Sequence, residues 1–235
     1  MSQTGPALPA NRLLTALPHR DRQRFVSRCT PVNLEFSTIL TEPGQPIDQV
    51  YFPMGSVVSL VAPIEGHDGL EVALVGDEGM TGTPIILGVS SSPLRAQVQG
   101  EGPALCMSSV RFKQELKHSP ALQTLLKRYV QVMICQLAQS AGCARYHVLE
   151  ARLARWLLMT QDRAHSNHFH LTQEFMAYML GVRRVGVTTA ASSLQARKLI
   201  SYSRGEITIH DRDGLEAAAC ACYRADIRSY AHLIR

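Results

Sequence analysis

Residues 171–200, LTQEFMAYMLGVRRVGVTTAASSLQARKLI, constrain the fold of this chain more than any other stretch. Thr172 stands three residues ahead of Phe175, where an N-cap hydroxyl accepts an otherwise unpaired helix-terminal N–H. Glu174 adds negative charge near the positive end of the same helix. Phe175, Met176, Met179 and Leu180 supply its buried face, and Gly181 ends it as a C-cap glycine does. A second helix, roughly 184–197, turns Val187, Ala190, Ala191 and Leu194 inward. Two short helices joined by a three- to four-residue turn containing glycine make a helix-turn-helix.

The outer side of the second helix carries Arg183, Arg184, Val185, Thr188, Thr189 and Ser192. Arginine forks onto O6 and N7 of guanine, threonine and serine reach phosphates or bases, and valine meets a thymine methyl. Two short apolar runs follow at 199–203 and 207–209, separated by Arg204-Gly205-Glu206. This hairpin sits where a wing would touch the neighbouring backbone, with Arg204 at its turn. With Thr172, these are the candidate DNA-binding residues. Charge agrees with the assignment. Residues 1–144 balance 11 Lys+Arg against 11 Asp+Glu, whereas residues 145–204 hold nine cations and three anions. A basic part behind a neutral one reads as a polyanion-binding module attached to something else.

That other part has a different texture. Apolar runs at 49–52, 57–61 and 70–75 are separated by the turn clusters Pro43-Gly44-Gln45-Pro46, Pro53-Met54-Gly55 and Gly76-Asp77-Glu78-Gly79. Short strands at this spacing predict an antiparallel roll or barrel. Ahead of it, residues 11–30 read as a short helix broken at Pro18-His19. After it, Ser108 or Ser109 caps a helix through Leu116, and Pro120 opens the longest helical stretch. There Leu122, Leu126, Tyr129, Met133, Leu137 and Ala144 keep a 3–4 spacing, which predicts a seam between two chains. A further helix is expected at 149–160.

The order of parts resembles the Crp/Fnr family of bacterial transcription regulators over about residues 11–217. The resemblance is carried by LTQEFMAYMLGVRRVGVTTAASSLQARKLISYSRGEITIHDRDGLE, by PMGSVVSL and by GDEGMTGTPIILG. It implies an α+β fold: an N-terminal antiparallel β-roll like the cyclic-nucleotide-binding domain, a long dimerisation helix, and a C-terminal winged helix-turn-helix. The divisions are then 1–118, 119–146 and 147–235. It implies a homodimer on double-stranded DNA, with half-sites about one helical turn (roughly 34 Å) apart, and effects on RNA polymerase. Members that read the best-known half-site carry Arg-Glu-x-x-x-Arg on the recognition helix. Arg184, Val185 and Thr189 stand at those positions here, so a different target sequence is expected.

Effector and cofactor expectations are mostly negative. Cyclic-AMP-binding members hold the ribose with a glutamate and the phosphate with an Arg-Ser or Arg-Thr pair. Gly79-Met80-Thr81-Gly82 lacks that acid, and Ala96 follows Arg95. Met80 and Arg95 remain the candidate effector-pocket residues. No cofactor is predicted: neither cyclic AMP, nor haem, nor an iron–sulfur cluster, for which Cys29 alone precedes Cys106. No metal site is predicted either. Cys220-Ala-Cys222 has one spacer residue, and on a helix its thiols diverge. His165, His168 and His170 read as an inter-helix loop without a completing Cys or acid.

A catalytic barrel of the cupin type needs two or three interior histidines, and residues 31–107 contain only His67. No P-loop, nucleophile elbow or dinucleotide fingerprint occurs, so no enzyme is expected. No apolar run approaches the roughly 18 residues that span a bilayer. Residues 1–10 have no basic n-region and no apolar h-region. Six scattered cysteines therefore read as reduced thiols in a cytoplasmic protein without membrane partners. The competing reading is a dimeric ligand-binding module whose basic half binds a protein or RNA.

Overall fold

Alternation along two strands decides how the halves of the chain meet. In β4 (Val57–Ile64) and β5 (His67–Val75), Val58, Leu60, Ala73 and Val75 point into one core, while Val57, Val61 and Leu74 point into another. Successive side chains of a strand face opposite ways, so apolar residues on both faces mean a sheet covered on both sides. The computed structural model describes residues 10–234, and the expectations for residues 1–9 lie outside the described residues.

The N-terminal half is an antiparallel roll of two sheets. One has the order β1 (Thr30–Leu34), β7 (Gly102–Ser108), β3 (Gln49–Pro53). The other has the order β2 (Ile39–Thr41), β6 (Arg95–Gly100), β4, β5. Two short helices, α1 (Arg12–Thr15) and α2 (His19–Val26), precede them, divided at Pro18 as expected. Phe25 of α2 meets the Phe52 ring edge-on at 5.2 Å, and both meet Phe112 of α3 (Ser109–His118). Ser108 caps α3 through its hydroxyl.

Ser119 caps the 27-residue helix α4 (Pro120–Tyr146), accepting from the Leu122 N–H, and Pro120 occupies the first turn, where its missing donor has no intrahelical partner to lose. Leu122, Leu126, Tyr129 and Met133, four of the six residues read as a two-chain seam, are buried against this chain's own roll. Leu137 and Ala144 are half-buried. The 3–4 spacing marks a buried face, and the roll is what buries it.

The C-terminal half runs α5 (Leu149–Ala164), β8 (His168–His170), α6 (Gln173–Leu180), α7 (Arg184–Ala196), β9 (Ile200–Ser203), β10 (Glu206–Ile209), α8 (Arg212–Ala218) and α9 (Cys222–Leu233). The segment expected to be a histidine loop is in fact a strand. β8 pairs with β10 and gives a three-stranded wing of order β8-β10-β9, because Phe169 alternates inward between exposed His168 and His170.

The outer face of the β4–β5–β6 sheet is the seat for α5. Leu153, Trp156 and Leu157 pack on Val57, Val61 and Leu74. Trp156 Nε1 donates to Glu71 at 2.9 Å, Gln99 donates to Thr160 at 3.1 Å, and Arg163 pairs with Glu78 at 2.7 Å. Burial pushes the Glu71 carboxyl up to about 7, against the opposing pull of the Trp156 hydrogen bond and of Arg163 and Arg155. A carboxyl raised above its unfolded value stabilises fully below the unfolded value of about 4.5, and that contribution fades as pH rises through about 7. Glu71→Gln keeps an acceptor for Trp156 without the charge. Thermal melts should therefore show it gaining stability over wild type at pH 8, by about 3 kcal/mol at most, and little at pH 4.5. An equal shift at both pH values would refute the buried-carboxyl account.

Candidate nucleic-acid interface

The helix-turn-helix forms by the local signals that the sequence contains. Thr172 Oγ1 accepts from the Phe175 N–H at 3.1 Å, and Gly181 ends α6 in the left-handed region at φ 62°. The Gly181 conformation is one that a side chain at this position would strain. Val187, Ala190, Ala191 and Leu194 are buried and fix α7 against α5 and α6. Arg183, Arg184, Val185, Thr188, Thr189 and Ser192 are consequently left in solvent, Val185 at 75% exposure.

The structure brings these six into one exposed row. Arg184 is held by Glu174 (3.2 Å) and Gln173 (3.4 Å), and Thr188 also donates to Gln173 at 2.8 Å. Gln173 thus belongs to the site, although its sequence offers only a position next to the N-cap as a signal. The Thr188 and Thr189 hydroxyls donate back to the carbonyls of Arg184 and Val185. At the wing tip, Arg204 and Gly205 both take positive φ, 52° and 84°. That pairing matches the strand twist of a two-residue hairpin and leaves the Arg204 side chain exposed. His168 and His170 flank Glu206 at 3.0 and 2.6 Å, and the His170 hydrogen bond, followed by the charges of both rings, holds that carboxyl below its ordinary value. His165 lies elsewhere, 3.0 Å from Asp77, so the three histidines do not converge.

The start of α7 shares an open cleft of about 870 Å³ with the roll, lined by His67, Leu70, Glu174, Tyr178, Arg183 and Arg184. The two effector candidates have separate surroundings. Met80 is fully buried, its carbonyl accepting from the Tyr129 hydroxyl, while Arg95 lies on β6 with Glu42 and Tyr178.

One expectation is overturned. Cys143, His147, Cys220 and Cys222 offer three sulfurs and one ring nitrogen within 4.8 Å of one another. This is a candidate metal cluster in a chain for which the sequence predicts neither metal nor cofactor. The divergence argued for Cys220 and Cys222 assumes one helix through both. Instead α8 stops at Ala218 and α9 starts at Cys222, so the intervening bend turns both thiols toward α4.

Residues 151–218 match the Crp-like helix-turn-helix domain. The chain is 25% identical over 206 residues to the global nitrogen regulator of Nostoc sp. strain PCC 7120, covering 83% of this chain and 92% of that relative. FixK2 from Bradyrhizobium japonicum shares the fold with a TM-score of 0.69 at 14% identity, over 82% of this chain and 98% of that one. A transcriptional regulator of the CRP/FNR family from Thermus thermophilus gives 0.67 at 20% identity, over 81% and 98%. Among the described residues, no helix is long and apolar enough to cross a membrane. With a β-roll, a long helix and a Crp-like helix-turn-helix domain in that order, the chain has the fold of the Crp/Fnr-family regulators.

Proposed function

We propose that the protein reads a specific duplex DNA sequence as a homodimer and acts on transcription through RNA polymerase. In this reading residues 1–118 form the sensor, 119–146 the dimerisation helix and 147–235 the DNA-binding domain. The observation that carries it is the solvent exposure of the row Arg183, Arg184, Val185, Thr188, Thr189 and Ser192, together with that of Arg204 at the wing tip. A recognition helix entering the major groove needs such a row, flanked by a cation for the backbone. On DNA, Arg184 exchanges its exposed partners Gln173 and Glu174 for a guanine edge. An effector acting through the roll has a cavity of about 380 Å³ to use between roll, α4 and α9, lined by Tyr129, Gln136, Arg163, Asp226 and Tyr230.

The dimer contact in this reading moves to the face of α4 that the roll leaves free. Ile134 is 52% exposed, Ala138 and Ala141 are exposed, and Val130 is half-buried, whereas Leu137 packs against the roll. A spacing of three and four places the first four on one stripe.

Two experiments test these statements. Selection from randomised duplexes at fixed salt should enrich an inverted repeat. On that site Arg184→Ala should lose about 1–3 kcal/mol and relax one base preference, and unchanged binding would refute the recognition-helix assignment. For the dimer, sedimentation of Ile134→Asp should show folded monomers, because the new charge meets only the second chain. Leu126→Asp should instead unfold the roll by burying an unpaired charge in its core. A folded Leu126→Asp monomer would return the seam to the buried face.

A further inference from the structure

Cys143 and His147 lie one turn apart at the end of α4, and Cys220 and Cys222 bracket the bend that opens α9. The Cys143 and Cys220 sulfurs are 3.5 Å apart, and Cys222 Sγ is 3.4 Å from His147 Nδ1. A zinc ion with bonds of about 2.3 Å to sulfur and 2.0–2.1 Å to nitrogen sets tetrahedral edges of about 3.8 and 3.6 Å. These two donor pairs are therefore already close to the edges of one tetrahedral site, and all four donors lie within 4.8 Å of one another. Their 4.8 Å limit is too tight for ligands spread around a two-iron cluster. Three sulfurs and an imidazole are donors that suit zinc.

The surroundings suit it as well. The three cysteines are buried. Gln139 Nε2 donates to Cys222 Sγ at 2.9 Å, as an outer partner of a thiolate does. Three thiolates and a divalent ion leave one negative charge. Arg152 and Arg155 stand within electrostatic reach of Cys143 and Cys220, and among the described residues the buried Nε of Arg155 has no hydrogen-bond partner.

We propose that Cys143, His147, Cys220 and Cys222 bind one zinc ion that ties the end of the long helix to the start of the last one. Cys143 and Cys220 are 77 positions apart, and the whole helix-turn-helix domain, residues 151–218, lies between them. The ion thus pins together both ends of the domain and spans the two-residue hinge His147-Val148.

Full-length protein purified under reducing conditions and supplied with zinc should carry about one ion per chain. Cobalt(II) in its place should give the intense ligand-field bands of a tetrahedral thiolate site. Cys143→Ser and Cys220→Ser should lose the metal, Cys135→Ser should keep it, and His147→Cys should keep it as a four-cysteine site. Chelation should expose the hinge, read as faster tryptic cleavage after Arg145, which is exposed beside it. Wild-type protein that takes up neither zinc nor cobalt would overturn the proposal, as would metal retained by Cys143→Ser. A Cys143–Cys220 disulfide in place of metal, or a cleavage rate indifferent to chelation, would also overturn it.

Discussion

The packing of α4 against the roll governs the rest of the molecule. Leu122, Leu125, Leu126, Tyr129, Val132 and Met133 close the roll's core along one side of the helix. Full burial of such side chains stabilises by about 1.5–3 kcal/mol each before the entropy of ordering them. This face fixes the helix in rotation as well as in place. Gly79 has no room for a Cβ, which would fall on the Tyr129 hydroxyl, so the close approach of turn and helix depends on glycine there. Once that face is fixed, α9 takes a second side of the helix through Gln139 and Cys222, and Ile134 stays exposed.

The same logic places the DNA-binding half. The β4–β5–β6 sheet is buried on both faces, and its outer face contains polar groups that must be satisfied within the interface. Ser59 donates to Gln99, Gln99 to Thr160, and Thr160 to the Trp156 carbonyl, a chain that runs from roll to α5 without a gap. Such a chain specifies one relative position more sharply than apolar contact does, since a shift of one residue would leave several buried groups unpaired. It also makes the seat sensitive to ionisation at Glu71, which lies at its edge.

Local chemistry is legible in the sequence where local chemistry decides. Thr172, Gly181, Ser108 and Pro120 each set a helix end through contacts within a few residues, and each stands where the sequence places it. What the sequence does not contain is the identity of the surface that covers a face. The spacing of Leu122, Leu126, Tyr129 and Met133 is the same whether a roll or a second chain covers them. The third wing strand is illegible for a related reason: His168-Phe169-His170 has one apolar residue, too few for an alternation to register, and only its pairing with β10 makes it a strand. The cysteine–histidine cluster is the extreme case. Cys143 and His147 have a helical spacing of four, but their partners lie 73 or more positions away across a whole domain, and a bend rather than a motif aligns them.

In the proposed reading, the exposed row on α7 is a reading surface kept ready in the free protein at little loss of stability. Arg184 rests on Glu174 at 3.2 Å, with both side chains mostly in solvent at 63% and 78% exposure. An exposed pair of this kind contributes about 0–1 kcal/mol. A bidentate contact to a base edge discriminates by about 1–3 kcal/mol, so on the proposed reading the exchange would favour DNA while the carboxylate would still oppose a weak or misplaced contact. Gln173 holds Arg184 and Thr188 together from the preceding helix, which limits the rotamers that must be frozen on binding. Glu174 therefore has two effects of opposite sign: it favours the N-terminus of α6 and competes for the arginine.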